Sequence, residues 1–149
     1  MGIVWGGVER ELYAFFKSKE LCNNGIFGLF GNLYAESGMK PGNLQNSSEK
    51  KLGLTDEAYT AAVDSGNYKN FVHDSAGYGL AQWTYWSRKE AMLAFHQAKG
   101  ASIGDALTQA EFLYKELSEG YKSVLSVLKT AASIREASDA VLLQFERPA

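Results

Sequence analysis

The sequence predicts a mainly helical α+β domain, in which a bundle of helices carries one small β-hairpin insert. Two observations predict this class. Apolar residues recur at helical spacing over most of the 149 residues, and Ser, Thr, Asn and Gly stand where helices would begin and end. One segment, residues 67–84, instead combines Phe, Val and Tyr with closely spaced glycines, which favours a hairpin or irregular sheet.

The first two helices are predicted from periodicity and end signals. The helix over residues 5–19 is indicated by apolar residues on one face, namely Val8, Leu12, Phe15 and Phe16. An Asn-Asn pair at 23–24 can cap a second helix. This helix runs to about Ser37, where Gly38 and then Pro41 are stop signals.

The middle of the chain changes character twice. Residues 42–55 are polar and turn-rich, so no regular element is predicted there. Thr55 can then cap a short helix over residues 56–66. The segment 67–84 follows, and its composition makes it the predicted β-hairpin insert.

The rest of the chain is predicted to be helical. Ser102 with Asp105, and Ser133 with Glu136, have the spacing of helix-capping residues. Glycines end the first two of these helices, and Pro148 ends the last. The predicted helices cover residues 86–99, 102–117, 121–131 and 133–147.

Composition limits the classes of function. With 46% hydrophobic and 21% charged residues, the chain can bury one ordinary core, as expected for a single domain over residues 1–149. A net charge of −2 argues against charge-driven nucleic-acid binding and gives no attraction to anionic membranes. No stretch approaches the roughly 18 apolar residues of a membrane span. The abrupt end in FERPA predicts a domain cut from a longer, modular protein. A monomer is the default expectation for a domain of this size.

Reactive and metal-binding residue types are sparse. Cys22 is the single cysteine, so packing must hold the fold together without a disulfide. A thiol just before a helix is more often a small, partly buried group than a nucleophile. Two histidines and no H-E-x-x-H motif predict no metal and no cofactor. The first residues lack the basic and apolar regions of a signal peptide.

An acid stands at the end of an apolar helix stripe. Glu36 shares one helix face with three apolar residues at steps of three and four, namely Ile26, Leu29 and Leu33. Burial without a partner raises the pKa of a carboxyl, and a carboxylic acid that keeps its proton near neutral pH suits general-acid catalysis. The alternative is that Glu36 bends out to water or bonds a nearby backbone group.

The segment DSAGYGLAQWT, residues 74–84, is a second candidate site. Its two glycines permit tight turns or the close approach of a ligand. Gln82 can donate and accept hydrogen bonds, which suits sugar hydroxyl and N-acetyl groups. Trp83, Tyr85 and Trp86 offer flat faces on which pyranose rings can lie. The alternative is a tight hairpin packed by core aromatic residues, with at most one or two rings facing a ligand.

Together these motifs resemble the lysozyme superfamily. Animal lysozymes have a Glu at a helix end and then a hairpin reading D-Y-G-x-x-Q, and soluble lytic transglycosylases have E-S followed by G-L-M-Q. The sequence is most similar to the phage tail lysozyme family, found in endolysins and tail-associated murein hydrolases. The resemblance covers nearly the whole chain, through GNLYAESGMKP, YTAAVDSGNY, GYGLAQWTYWSRK and FERP. It implies a lysozyme-like fold, with helices around a catalytic helix and a hairpin insert lining a glycan groove.

The resemblance also implies a role for Glu36, and the chemistry of four other residues makes them candidates beside it. Glu36 would be the catalytic acid that protonates the glycosidic oxygen of the β-1,4 bond between MurNAc and GlcNAc. Ser37 would either orient that carboxyl or cap the helix end. Tyr78 and Gln82 are the candidate substrate contacts. Trp83 is a further candidate, divided between the ligand and the core.

The second carboxylate of animal lysozymes does not carry over. They place it directly before Y-G, where this chain has Gly77, and the nearest acid is Asp74. Asp74 could hold a water for an inverting reaction, which needs carboxyls about 6.5–9.5 Å apart, or act on the anomeric carbon from about 5–5.5 Å. Otherwise Asp74 only caps a turn. The substrate's own N-acetyl group would then assist, while Glu36 switches from acid to base.

These observations predict a bacteriolytic glycoside hydrolase of the muramidase type, whose partner is the glycan strand of peptidoglycan. Two alternatives stay open. One is a lytic transglycosylase that forms 1,6-anhydro-MurNAc. The other is a non-catalytic peptidoglycan-binding tail module, because a scaffold can lose its chemistry. The expected location is a phage tail, or the host cytoplasm with later release to the cell wall.

Overall fold

The computed structural model describes residues 6–146, which form eight α-helices and a closing π-helix over Val141–Glu146. The chain divides into two compact units. Of the described residues, the first unit holds 6–39 and 113–146, and the second holds 40–112. The α-helices are α1 Gly7–Ser18, α2 Asn23–Ser37, α3 Asn46–Leu52, α4 Asp56–Ser65, α5 Trp86–Lys99, α6 Ala106–Gly120, α7 Lys122–Thr130 and α8 Ile134–Ala140.

The first unit is built around α2, which packs along α8 and also contacts α1 and α7. Two glycines allow this close packing. A Cβ atom on Gly28 would lie 2.6 Å from the Cβ of Ala137, and one on Gly25 would overlap the carbonyl oxygen of Leu128. Side chains larger than hydrogen at these positions would force the helices apart. The buried residues of this unit include Leu12, Phe16, Ile26, Leu29, Leu33, Leu128 and Phe145.

Both ends of α2 have defined caps. The predicted Asn-Asn cap is displaced by one residue, because Cys22 is the N-cap and its Sγ accepts from the Gly25 N–H at 3.4 Å. The predicted end at Ser37 is confirmed. Gly38 has φ 65° and Met39 has φ 64°, so two consecutive residues are left-handed and the chain turns away sharply after the helix.

The second unit contains α3, α4, α5 and the first half of α6, and aromatic side chains lie in its core. The Tyr59 and Tyr78 rings lie 5.4 Å apart, and the Trp83 ring meets Phe112 edge-on at 5.7 Å. α3 is an addition to the prediction, since residues 42–55 read as turns. Its seven residues lack an apolar stripe long enough to be recognised.

The predicted β-hairpin insert is wrong. In residues 67–85 the structure has turns and no strand, and two isolated antiparallel bridges join Tyr78 to Leu44 and to Trp83. A hairpin strand alternates buried and solvated residues, but residues 76–81 are all buried. Gly79 at φ 85° and Gln82 at φ 51° also bend the backbone out of the extended region.

Most predicted helix ends agree with the structure. Thr55 caps α4 and Ser133 caps α8, each through its side-chain oxygen. Ser102 does not cap α6; Asp105 does, accepting from the Thr108 N–H at 2.9 Å. The last predicted helix is divided into α8 and the π-helix. The start of the first predicted helix at residue 5 and the stop at residue 148 lie outside the described residues.

Candidate functional site

Glu36 lies in the last turn of α2. The apolar members of its stripe are fully buried, whereas Glu36 itself is exposed. Within residues 6–146, its carboxylate forms no hydrogen bond or ion pair. Surrounding protein atoms still partly desolvate the group, and this raises its pKa above the ordinary glutamate value. The negative end of the α2 dipole also disfavours a charged carboxylate there. Glu36 is therefore an accessible acid with a strengthened hold on its proton.

Ser37, the neighbour of Glu36, is buried and bonds to the backbone of its own helix. Its Oγ donates to the Leu33 carbonyl oxygen at 2.9 Å, a bond to the preceding turn. The N–H of Gly38 donates to the Tyr34 carbonyl oxygen, also at 2.9 Å. These two bonds close the last turn of α2, which favours the helix-capping alternative for Ser37.

Asp74 belongs to the second unit, and its side chain is buried and bonded to several groups. Its side chain is 2% exposed and pairs with the fully buried Lys89 ammonium at 2.6 Å. The hydroxyls of Tyr59 and Tyr68 donate to Oδ2 at 2.6 and 2.8 Å. The Ala76 N–H donates to Oδ1 at 2.9 Å. Because both oxygens are occupied, this placement favours the turn-capping role of Asp74 over direct catalysis.

Lys89 is the partner that the sequence analysis missed. Its Nζ also donates to the Ala76 carbonyl oxygen at 2.7 Å and lies 4.2 Å from the centre of the Phe71 ring. Burial lowers the pKa of Lys89, and the Asp74 carboxylate opposes this shift. A sequence signal existed: Lys89, Met92 and His96 are spaced by three and four residues, and all three form the buried face of α5.

Tyr78 and Trp83 lie in the core of the second unit, and both are 0% exposed. The Tyr78 hydroxyl shares a 2.6 Å hydrogen bond with Thr60 Oγ1, and burial raises the pKa of Tyr78. A ligand cannot reach either ring unless the surrounding loop opens. Their neighbours Tyr85 and Trp86 are instead exposed.

Gln82 stabilises the loop 74–83 from inside. Its Nε2 donates to the carbonyl oxygens of Asn43 and Gly79 at 2.9 and 3.0 Å. Its Oε1 lies 2.8 Å from the point where a Cβ atom on Gly77 would be. The side chain of Gln82 thus fills the space beside Gly77.

Two further amide side chains hold the same loop. Gln45 Oε1 accepts from the Gly77 N–H at 3.1 Å. The fully buried Gln109 accepts from the Leu80 N–H at 2.9 Å, and its Nε2 donates to two backbone carbonyls at 2.7 Å each. The loop lacks regular secondary structure, and side chains instead bond several of its buried backbone groups.

A cleft of about 780 Å³ opens in the second unit along α4 and residues 101–105. Two of its acids are bonded to the backbone: Asp56 accepts from the Leu44 N–H at 3.0 Å, and Asp64 accepts from the Ile103 N–H at 2.9 Å. No predicted site residue lines this cleft. Asp64 is part of the wall of this cleft.

The structure thus groups the predicted residues in two sets. Glu36 and Ser37 share the end of α2, and the other four share the loop 74–83. A family model for phage tail lysozymes matches residues 7–149, which include both sets. The chain belongs to the phage tail lysozyme family. This confirms the resemblance seen in the sequence.

Membership of the phage tail lysozyme family indicates a peptidoglycan-degrading enzyme of the glycoside-hydrolase class, associated with phage tails. Comparisons with curated proteins and with solved structures find no match. In residues 6–146 of this phage tail lysozyme, no group of three or more His, Cys, Asp or Glu side chains could hold a metal ion. No helix in the same part of the chain has the length and apolarity needed to cross a membrane.

Proposed function

We propose that the protein is a muramidase that cleaves the β-1,4 bond between MurNAc and GlcNAc, with Glu36 as the general acid. The observation that carries this proposal is the state of Glu36, an exposed carboxyl that has no partner within residues 6–146 and whose pKa is raised by partial desolvation. Such a group holds a proton at higher pH than an ordinary glutamate and can transfer it to a leaving oxygen.

The bond cleavage needs one proton and one nucleophile. Glu36 protonates the glycosidic oxygen as the bond to the MurNAc anomeric carbon breaks. Because Asp74 is fully engaged by Lys89 and two tyrosines, the acetamido oxygen of the substrate is the nucleophile in this proposal. The resulting cyclic ion is then opened by water, from which the Glu36 carboxylate accepts a proton.

The same intermediate gives a second candidate function. If the 6-hydroxyl of MurNAc attacks instead of water, Glu36 accepts that proton and the product is 1,6-anhydro-MurNAc. The engagement of Asp74 favours this lytic transglycosylase over a reaction that needs two carboxylates. In both reactions Glu36 acts first as acid and then as base.

The test is mass spectrometry of fragments released from purified peptidoglycan. Reducing MurNAc ends are expected for the muramidase, and ends lighter by one water would support the transglycosylase. No fragments from several types of cell wall would favour the non-catalytic tail module. Glu36→Gln should lower the rate by about 10²- to 10⁴-fold, the usual contribution of a general acid.

Two variants control this experiment. Glu57→Gln changes an exposed helix carboxylate of the second unit and should retain full activity. Asp74→Asn, assayed at a temperature where it is folded, should keep a rate per folded molecule within about tenfold of the wild type. Unchanged lysis by Glu36→Gln would refute the assignment of the acid. A loss in Asp74→Asn equal to that in Glu36→Gln would refute the single-acid mechanism.

A further inference from the structure

Three exposed rings lie side by side in the second unit: His73, Tyr85 and Trp86, which we call the aromatic platform. Tyr85 is 63% exposed and Trp86 is 46% exposed. The His73 and Trp86 rings are 5.9 Å apart with planes inclined by 26°, and the Tyr85 and Trp86 rings are 6.1 Å apart at 36°. Single exposed apolar residues are common on protein surfaces, but three adjacent rings form a continuous surface.

The buried ion pair fixes the two chain segments that carry these rings. Asp74 directly follows His73, and Lys89 lies one helical turn after Tyr85. The Asp74–Lys89 bond of 2.6 Å joins the segments, and the Lys89 N–H donates to the Tyr85 carbonyl oxygen at 3.0 Å. The rings are therefore held by anchored backbone, so a ligand has little order to impose when it binds.

The chemistry of the platform suits a sugar. The C–H faces of a pyranose ring can lie on aromatic rings, while the Tyr85 hydroxyl and the imidazole and indole nitrogens can bond hydroxyl groups at the edge. Nucleobases also stack on aromatic rings, but sites for nucleic-acid strands add a basic groove. Here the chain has 15 basic and 17 acidic residues, and the charge of Lys89, one helical turn after Tyr85, is paired with Asp74.

We propose that the aromatic platform binds the pyranose rings of the peptidoglycan glycan strand. This inference rests on the proposed function for the identity of the glycan. It assigns the platform residues to binding alone and gives them no part in proton transfer. Their expected contribution is to substrate affinity and KM, with kcat nearly unchanged.

The test measures binding to purified, insoluble peptidoglycan by co-sedimentation, with the Glu36→Gln variant as the reference because it should leave the glycan intact. Adding Trp86→Ala should weaken binding about tenfold, which corresponds to about 1.4 kcal/mol and is the scale of one aromatic stacking contact. Tyr85→Ala should have a similar or smaller effect. Trp86→Phe keeps a flat ring and should restore most of the affinity.

Leu143→Ala is the matched control, because Leu143 is a large apolar side chain that is 68% exposed in the first unit. It should bind like the reference. Thermal unfolding of each variant should match the reference, since the exposed rings contribute little to the core. If Trp86→Ala and Tyr85→Ala bind peptidoglycan as tightly as the reference, the platform is not a glycan site. The proposal would also be overturned if Trp86→Ala abolished tight binding of a single-stranded oligonucleotide but left peptidoglycan binding unchanged.

The failure of this inference can be separated from failure of the proposed function. Released glycan fragments together with unaltered binding by Trp86→Ala would leave the enzyme assignment standing and remove the platform. Binding that depends on Trp86, without any fragments, would support the platform on a non-catalytic module. Neither fragments nor binding would refute both proposals.

Discussion

The carboxylate at the end of α2 and the carboxylate in the loop 74–83 lie in opposite environments. Glu36 is exposed, has no partner among the described residues, and has a raised pKa because nearby protein partly desolvates it. Asp74 is buried and bonded to an ammonium, two hydroxyls and a backbone N–H. A carboxylate saturated with donors stabilises structure, whereas one without donors keeps its proton available for chemistry.

The comparison predicts the largest loss of stability at the buried pair. Lys89→Met should lower the free energy of unfolding by about 3–5 kcal/mol, because it leaves the Asp74 carboxylate buried without its charged partner. Urea unfolding followed by circular dichroism measures this change. The variant is to be compared directly with Glu36→Gln, which breaks no bond within the described chain and should unfold nearly as the wild type does.

The matched control is Lys115→Met. Lys115 pairs with Glu119 at 2.8 Å, a distance close to that of the buried pair, but both side chains are exposed. The cost should stay below about 1 kcal/mol. If Lys89→Met and Lys115→Met cost the same, burial does not distinguish the two pairs and the structural role of Asp74 is refuted.

A smaller loss is expected at the amide that supports the loop 74–83. Gln109→Leu keeps the volume of a fully buried side chain but leaves the Leu80 N–H and two carbonyl oxygens without their bonds. We expect a loss of about 3 kcal/mol in chemical unfolding, since each unsatisfied buried group costs about 1–3 kcal/mol and the structure relaxes in part.

Gln97→Leu is the control for this substitution, because Gln97 is exposed on α5. Its stability should stay within about 0.5 kcal/mol of the wild type. The same small change in Gln109→Leu would show that the loop does not depend on its amide contacts. The contrast with the end of α2, which is held by helix packing, would then disappear.

The two regions also differ in how far the sequence predicts them. α2 is local in origin: its apolar stripe, its end at Gly38 and the position of Glu36 all follow from residues a few places apart. The caps at Thr55 and Ser133 are local as well and were predicted. What the stripe did not show is that Glu36 is exposed, since exposure depends on where the packing ends.

The loop 74–83 depends on distant residues, and there the prediction failed. From the sequence alone, Lys89 is expected to be a solvated charge, because its partner Asp74 is distant in the chain. The amide of Gln109 is also bonded to a distant segment. The hairpin was inferred from Phe, Val and Tyr content. This content does not distinguish a strand that has one solvent-exposed face from turns that are buried on both sides. The placement of Tyr78 and Trp83 in the core follows from the same burial.

The smallest predicted effect is a pH dependence at Glu36. In strongly acidic solution Glu36 is protonated in both the folded and the unfolded chain, so it does not change stability. As the pH rises, the unfolded chain releases this proton first, because the pKa of Glu36 is raised in the folded protein. Wild-type protein should therefore lose stability relative to Glu36→Gln through this window and keep that deficit at higher pH.

Thermal unfolding of wild type and Glu36→Gln across acidic to neutral pH measures the difference. Cleavage should decline over the higher part of the same window, because a general acid must carry its proton. A wild type that instead gains stability over Glu36→Gln as the pH rises would mean that folding favours the carboxylate. Glu36 would then be ionised where the reaction needs an acid, and its contrast with Asp74 would no longer explain which group acts.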